Sequence, residues 1–352
     1  ARLALILLAG VGLAYLRTSD LALPFSAAVW PILASLFMFR LIIYLYELKH
    51  GRAEFQPAST LSYFFLLPNL VFPLFPPVDY SVYRRTYYDR EPHAIYQTGV
   101  DWILRGVIQL LVYRFVNYYL VISPAAVTDV GDLVRYLVPN LLLLVRITGQ
   151  FHIAIGILHL FGFNLPQTNN RYFLATSFTD FWRRANIYWK DFMVKLFYYP
   201  TYFRLQTMDA TWRLIVATLA AFFVTWLLHV YQWFWLRGSV LLTLPDILFW
   251  TIFALVVLGN SLYETRRGRK RSLVHKAPSP RELVGIVLRT IGMFTFVVVL
   301  WSLWTSPSVG EWFALWSVLG QPITDVTTLL PLFLVLFLLV AATLWYQRDE
   351  HR

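Results

Sequence analysis

Long, nearly uncharged runs of apolar residues recur along this chain of 352 residues, and they constrain its fold more than any other feature. A helix that crosses a bilayer needs about 20 mostly apolar residues, and in hydrocarbon only helices and closed barrels satisfy their own backbone polar groups. Runs of this kind cover residues 2–16, 22–47, 59–76, 98–123, 131–162, 211–236, 240–263, 283–305 and 327–347. A shorter run, 311–320, is expected only to dip into the bilayer. Composition agrees: 58% of residues are hydrophobic and 14% charged, against about 45–50% and about 25% in soluble domains. A soluble fold would need a core larger than such a chain can enclose. The 14 Trp suit repeated passage through membrane interfaces. The expected fold class is an all-α polytopic membrane protein forming one domain over 1–352, with about 8–10 transmembrane helices plus re-entrant and interfacial ones.

The net charge of +11 is concentrated in loops between spans, which fits the positive-inside rule rather than nucleic-acid binding. The Lys- and Arg-rich segments 83–90, 163–210 and 264–276 are expected on the cytoplasmic side, and loops 124–130 and 306–310, which hold no Lys or Arg, on the other. Segment 61–80 carries four prolines, each of which opposes helix continuation. Loop 48–58, with Lys49 and Arg52, reaches the cytoplasmic side only if 61–80 re-enters instead of crossing. The opening run "ARLALILLAGVGLAY" lacks a small-residue cleavage site in its continuation and reads as a first membrane helix, which truncation at Ala1 would shorten. Without Cys, neither disulfides nor thiolate chemistry is available.

Ionisable groups within spans are costly and so mark functional candidates. Arg40, Arg105, Arg114, Arg146, His152, His159 and His229 qualify. For the arginines, pairing or snorkelling to the interface is the favoured reading. His229 shares a helix face with Thr225, Trp226, Gln232 and Trp233, a polar and aromatic notch in an apolar helix. A neutral imidazole there is suited to accept a proton, or simply to hydrogen-bond a neighbouring helix. His152 and His159 lie near one face of their helix, but no HxxxH spacing, Cys or nearby carboxylate accompanies them, and no metal site is expected. The stretch "SFTDFWRRANIYWKDF" (177–192) predicts one amphipathic helix, its stripe formed by Phe178, Phe181, Trp182, Ala185, Trp189 and Phe192. Ser177 with Asp180 predicts a cap, and Asp180 with Arg184 an i,i+4 pair.

The run 149–192 also resembles the central signature of the membrane-bound O-acyltransferases, most closely the bacterial branch that includes the alginate O-acetylation and teichoic acid D-alanyl transfer membrane proteins. The matching blocks are AIG at 154–156, LFGF at 160–163, LP at 165–166, LATS at 174–177 and DFWRR at 180–184. The family's second hallmark, W-H-G-x-x-W, corresponds to Leu228-His229-Val230-Tyr231-Gln232-Trp233. The resemblance covers roughly residues 35–320, with 149–238 as its core. Departures are Ala185-Asn186 where the branch has Trp-His, Val230 in place of Gly, His152 in place of Asp, and the glycine-free "KDFMVKLFYYPTYF".

The resemblance implies a ring of spanning helices around a tunnel in a bacterial inner membrane. It implies His229 as general base for O-acyl transfer, with Asn186 bonding the donor carbonyl or orienting the imidazole. Trp182, Trp189, Gln232, Trp233 and His152 would line the substrate site, and Arg183, Arg184 and Lys190 would meet the phosphates of the donor or anionic headgroups. The donor would be an acyl-CoA or acyl-carrier-protein thioester, with no bound cofactor. The acceptor would be a hydroxyl of the cell envelope or a lipid. Membrane lipids and an extracytoplasmic acyltransferase are the implied partners. An acyl-relay or transport subunit, or a non-catalytic scaffold, is the alternative.

Overall fold

A computed structural model describes residues 2–19, 26, 29–30, 37–52, 54–65, 78–240, 242–267 and 279–349. In chain order the helices are α1 Arg2–Thr18, α2 Phe37–Lys49, α3 Pro57–Phe65, α4 Tyr80–Arg85, α5 Pro92–Tyr119, α6 Val130–Leu141, α7 Leu143–Leu160, α8 Phe178–Arg184 and α9 Ile187–Met193. There follow a π-helical turn at Val194–Tyr198 and α10 Tyr199–Arg204, then α11 Ala210–Arg237, α12 Leu244–Arg267, α13 Pro280–Thr305, α14 Val309–Trp316 and α15 Leu330–Asp349. Among the described residues no β-strand occurs, only an isolated bridge between Tyr87 and Phe163.

Five helical stretches are long and apolar enough to cross a membrane: Val130–Leu160, Ala210–Arg237, Leu244–Arg267, Pro280–Thr305 and Val326–Tyr346. The chain is an all-α polytopic membrane protein. On α15, Phe333, Leu334, Phe337 and Leu338 stand exposed, a surface that water would drive to aggregate and hydrocarbon does not. The other expected spans differ for visible reasons. Residues 22–36 and 66–77, which include the prolines of the expected re-entrant segment, fall largely or wholly outside the described residues, as do 268–278 of the basic loop. The run 98–123 becomes α5, which carries Asp101, Arg105 and Arg114 within its length. The run 131–162 is not one helix but two, because the Pro139 ring lacks an N–H and opposes the carbonyl four residues back. The chain breaks at Leu142 and resumes as α7. The short run 311–320 forms α14 and a 3₁₀ turn, Ser317–Gly320.

α5 and α7 pack backbone to backbone. A Cβ on Gly106 would stand 2.6 Å from the Gly149 carbonyl oxygen, and one on Gly156 would stand 2.7 Å from the Gly99 carbonyl oxygen. Lipid is as apolar as any side chain, so this close van der Waals approach, rather than a hydrophobic drive, holds such helices together. At one end of the fold, the Asp129 carboxylate accepts bonds from Thr324 Oγ1 at 2.5 Å, Thr324 N at 2.8 Å and Asp132 N at 2.9 Å. Chiefly through the Thr324 hydroxyl, these bonds hold its pKa down to about 2 and tie the start of α6 to the loop before α15.

A second polar knot joins segments far apart in sequence. Lys195, in the π-helical turn, lies 2.7 Å from Glu47 of α2 and 2.7 Å from Asp79. Glu47 is fully buried and also accepts from Ser81 N at 2.7 Å and Ser81 Oγ at 2.8 Å. Burial by itself would lower the pKa of Lys195, but the hydrogen bonds it donates to Asp79 and Glu47 outweigh that and hold the ammonium charged.

Candidate functional site

The segment 177–192 starts as its sequence predicts. The Ser177 hydroxyl accepts from Asp180 N at 3.2 Å, and Arg184 Nε donates to Asp180 at 2.8 Å. The Asp180 carboxylate turns back to Thr176 N, at 3.3 Å. The start of α8 is also gripped by α12. Asn260 Oδ1 accepts from Thr179 N and Oγ1, both at 3.2 Å, and Glu264 accepts from Thr179 Oγ1, from Ser177 Oγ at 3.3 Å and from Arg183 at 3.1 Å. Asn260 and Glu264 are four apart, so one helix face delivers both.

The expected single helix over 177–192 is interrupted. Asn186 adopts φ +44°, ψ +60°, in the left-handed region, so α8 ends and α9 begins with a change of direction. Asn tolerates this conformation better than most residues. Loop 166–170 supplies the partners that a continuous helix would not need. Ile187 N donates to Thr168 O at 2.7 Å, Asn186 N to Asn169 Oδ1 at 2.8 Å, and Asn170 N to Arg184 O at 2.8 Å. The Asn186 side chain caps α9 by accepting from Trp189 N at 3.4 Å.

That turn aims Trp189 at His229. The two rings lie 5.3 Å apart, edge to face, and Trp250 of α12 also contacts the imidazole, at 4.8 Å. Phe39 of α2 backs Trp189 at 5.6 Å. His229 is half-buried in α11, with Nδ1 2.8 Å from the Thr225 carbonyl oxygen. A carbonyl only accepts, so Nδ1 carries the hydrogen and Nε2 keeps the lone pair. The imidazole is therefore held in one tautomer, with its basic nitrogen free for a proton.

Asp246, one turn before Trp250, accepts from Trp226 Nε1 and Trp304 Nε1, both at 2.7 Å. Sequence reading passed over Asp246 and Trp250. The signal was there in Asp246, an acidic residue at the head of the apolar stretch "LPDILFWTIFALVV"; its two indole partners are visible only in the fold.

The other expected residues divide. Trp182 packs on Phe222 at 4.9 Å, seven residues before His229 and about 10 Å lower along α11. Trp233 lies under the Arg237 guanidinium at 4.2 Å, at the far end of α11. Gln232 is half-buried one turn beyond His229. His152 stands in the α5–α7 seam instead, with Nδ1 2.7 Å from Gln109 Oε1 and its ring 4.6 Å from Trp102. His159 is fully buried, with Nδ1 bonded to the Ile155 carbonyl at 2.7 Å. The three cations are each paired within the chain: Arg183 with Glu264, Arg184 with Asp180, and Lys190 with Asp191 at 2.7 Å. Beside Arg183 opens a cleft of about 730 Å³ lined by Ser177, Asp180, Tyr198, Leu214, Glu264 and Arg267 among others.

Fold and site together define a polytopic helical membrane protein with a histidine of fixed tautomer in an aromatic niche. Compared with known proteins, the chain matches no family model and no curated protein.

The roles of Asn186 are separable by substitution. Asn186→Gly, which accepts positive φ freely, is expected to keep α9 in place. Asn186→Ala is expected to cost about 1–2 kcal/mol from the left-handed backbone and a similar amount from the lost cap. Thermal unfolding in detergent reads the difference. Equal stability of the two variants would mean that the turn does not depend on Asn186.

Proposed function

We propose that this chain is a membrane-embedded O-acyltransferase, of the kind its signature segment resembles, with His229 as general base. The observation that carries the reading is the Nδ1–Thr225 bond, which leaves Nε2 basic inside an apolar aromatic niche next to the signature segment. In the proposed reaction the acceptor hydroxyl attacks the thioester carbonyl carbon, a C–O bond forms, and Nε2 takes the hydroxyl proton. Collapse breaks the C–S bond, and the proton passes from His229 to the departing thiolate. Asn186 acts on this chemistry through Trp189, whose backbone it caps.

The cleft beside Arg183 and Arg267 lies at the end that the positive-inside rule puts in the cytoplasm, and the phosphate-bearing part of a CoA or carrier-protein thioester would bind there by taking Arg183 from Glu264. Leu214 in that cleft and His229 are fifteen residues apart on α11, about 22 Å. A donor held at the cleft therefore needs an extended arm, as a pantetheine thioester has. The acceptor, a hydroxyl of the envelope or a lipid, would come from the opposite face of a bacterial inner membrane.

The test is transfer by the purified chain in liposomes, supplied with labelled acyl-CoA or acyl-carrier protein and envelope glycan or lipid acceptors. Label in a new ester together with free thiol supports the reading. Thiol release whose label reaches an ester only after an extracytoplasmic enzyme is added would support an acyl relay. Absence of thiol release from every donor would sink both.

A further inference from the structure

Four buried or half-buried tryptophans of this protein donate their indole N–H to a side-chain acceptor. Trp226 and Trp304 donate to Asp246, and Trp312 and Trp316 donate to Ser302 Oγ at 3.0 and 3.3 Å. The two tryptophans that touch His229 do not. Trp189 and Trp250 are each only 8% exposed, yet among the described residues the Nε1 of each is sealed from solvent without a hydrogen-bond partner. A third such indole, Trp235, is packed against Trp30 in a separate cluster. A buried donor without an acceptor is destabilising, and more so in a membrane interior, where water does not stand in. Asp246 is one turn from Trp250 on α12 but is already occupied by two other indoles. The two rings in contact with His229 thus carry two unused indole donors.

We propose that the indole N–H groups of Trp189 and Trp250 receive the acyl carbonyl oxygen of the substrate and stabilise the oxyanion that forms on it. This rests on the acyl-transfer reading given above. When the acceptor hydroxyl attacks, the carbonyl π electrons move onto that oxygen as the C–O bond forms and the proton goes to His229 Nε2. On collapse the pair returns, the C–S bond breaks and the thiolate leaves. Indole N–H only donates, so it matches an oxygen that carries no hydrogen and gains negative charge. Donors fixed in advance in a dry site are the strongest form of this assistance.

The test replaces each ring in turn and together: Trp189→Phe, Trp250→Phe, and benzothiophene in place of either indole, which keeps the ring's size and loses only the N–H. The full-length protein is assayed in liposomes with a thioester donor. Loss of one donor is expected to lower kcat by about 10²–10³-fold while KM for the donor changes little, since the bond strengthens mainly in the transition state. The benzothiophene forms are expected to unfold at or above the wild-type temperature, because an unsatisfied buried polar group has gone. A kcat within twofold of wild type for both benzothiophene forms, in an assay where wild type makes ester, overturns the proposal and leaves the acyl-transfer reading intact. If wild type itself releases no thiol, the acyl-transfer reading fails, and this proposal with it. Matching losses of kcat and stability would assign the rings a packing role and also overturn it.

Discussion

His229→Ala is expected to reduce the rate of ester formation by about 10²–10⁴-fold, the usual worth of a positioned general base. The expectation follows from three observations. Nδ1 is committed to the Thr225 carbonyl, the ring contacts both Trp189 and Trp250, and the surrounding cluster is aromatic and apolar. A base held in one tautomer needs no reorganisation when the proton moves. Among the described residues the ring makes no other polar bond, so the variant should still fold, with some loss from the space left beside the two indoles. Single-turnover chemistry with labelled thioester, run beside thermal unfolding of the same preparation, separates the two effects. Ester formation within a few fold of wild type by a folded His229→Ala protein would remove histidine from the mechanism.

The largest effect on stability is expected from Lys195→Met. Glu47 is fully buried, and Asp79 beside it is three-quarters covered. Removing the ammonium leaves two carboxylates facing each other without compensation, and breaking a buried pair by deleting one partner typically costs about 3–5 kcal/mol. Methionine keeps most of the aliphatic stem, so the loss is electrostatic rather than a matter of volume. The three segments held by this knot, α2, the turn before α4 and the π-helical turn, should loosen together. Adding Glu47→Gln and Asp79→Asn to the same chain is expected to recover most of the loss, because neutral amides carry no uncompensated charge. Denaturant unfolding in detergent measures both forms. A single variant within about 1 kcal/mol of wild type, below the penalty for an unpaired buried charge, would show that the knot is solvated and contributes little.

Much of this architecture was legible in sequence because it depends on local composition. Apolar runs of bilayer length foretell helices wherever they fall, since no other element satisfies its backbone in hydrocarbon. The Ser177 cap and the Asp180–Arg184 pair were equally readable, because their partners lie within one turn. His229 stood out through its helix neighbours and the resemblance at Leu228–Trp233, whereas the rings that touch it come from α9 and α12.

Other features depend on partners that pattern reading does not reach. The stripe from Phe178 to Phe192 has the period of one helix, yet the chain turns at Asn186 because loop 166–170 offers acceptors and donors that make the left-handed turn affordable. Lys195 and Glu47 are 148 residues apart, and Asp246 meets Trp304 across 58. His152 shared its helix with the signature but faces α5, since a helix decides which residues share a face and not which neighbour that face meets. By itself the sequence determined the solvent, the helical class and the local caps, because these follow from transfer energies and short-range bonds. Only the tertiary structure decided which indoles surround His229 and which of them find an acceptor, because long-range pairing is settled by packing among helices whose surfaces are all equally apolar.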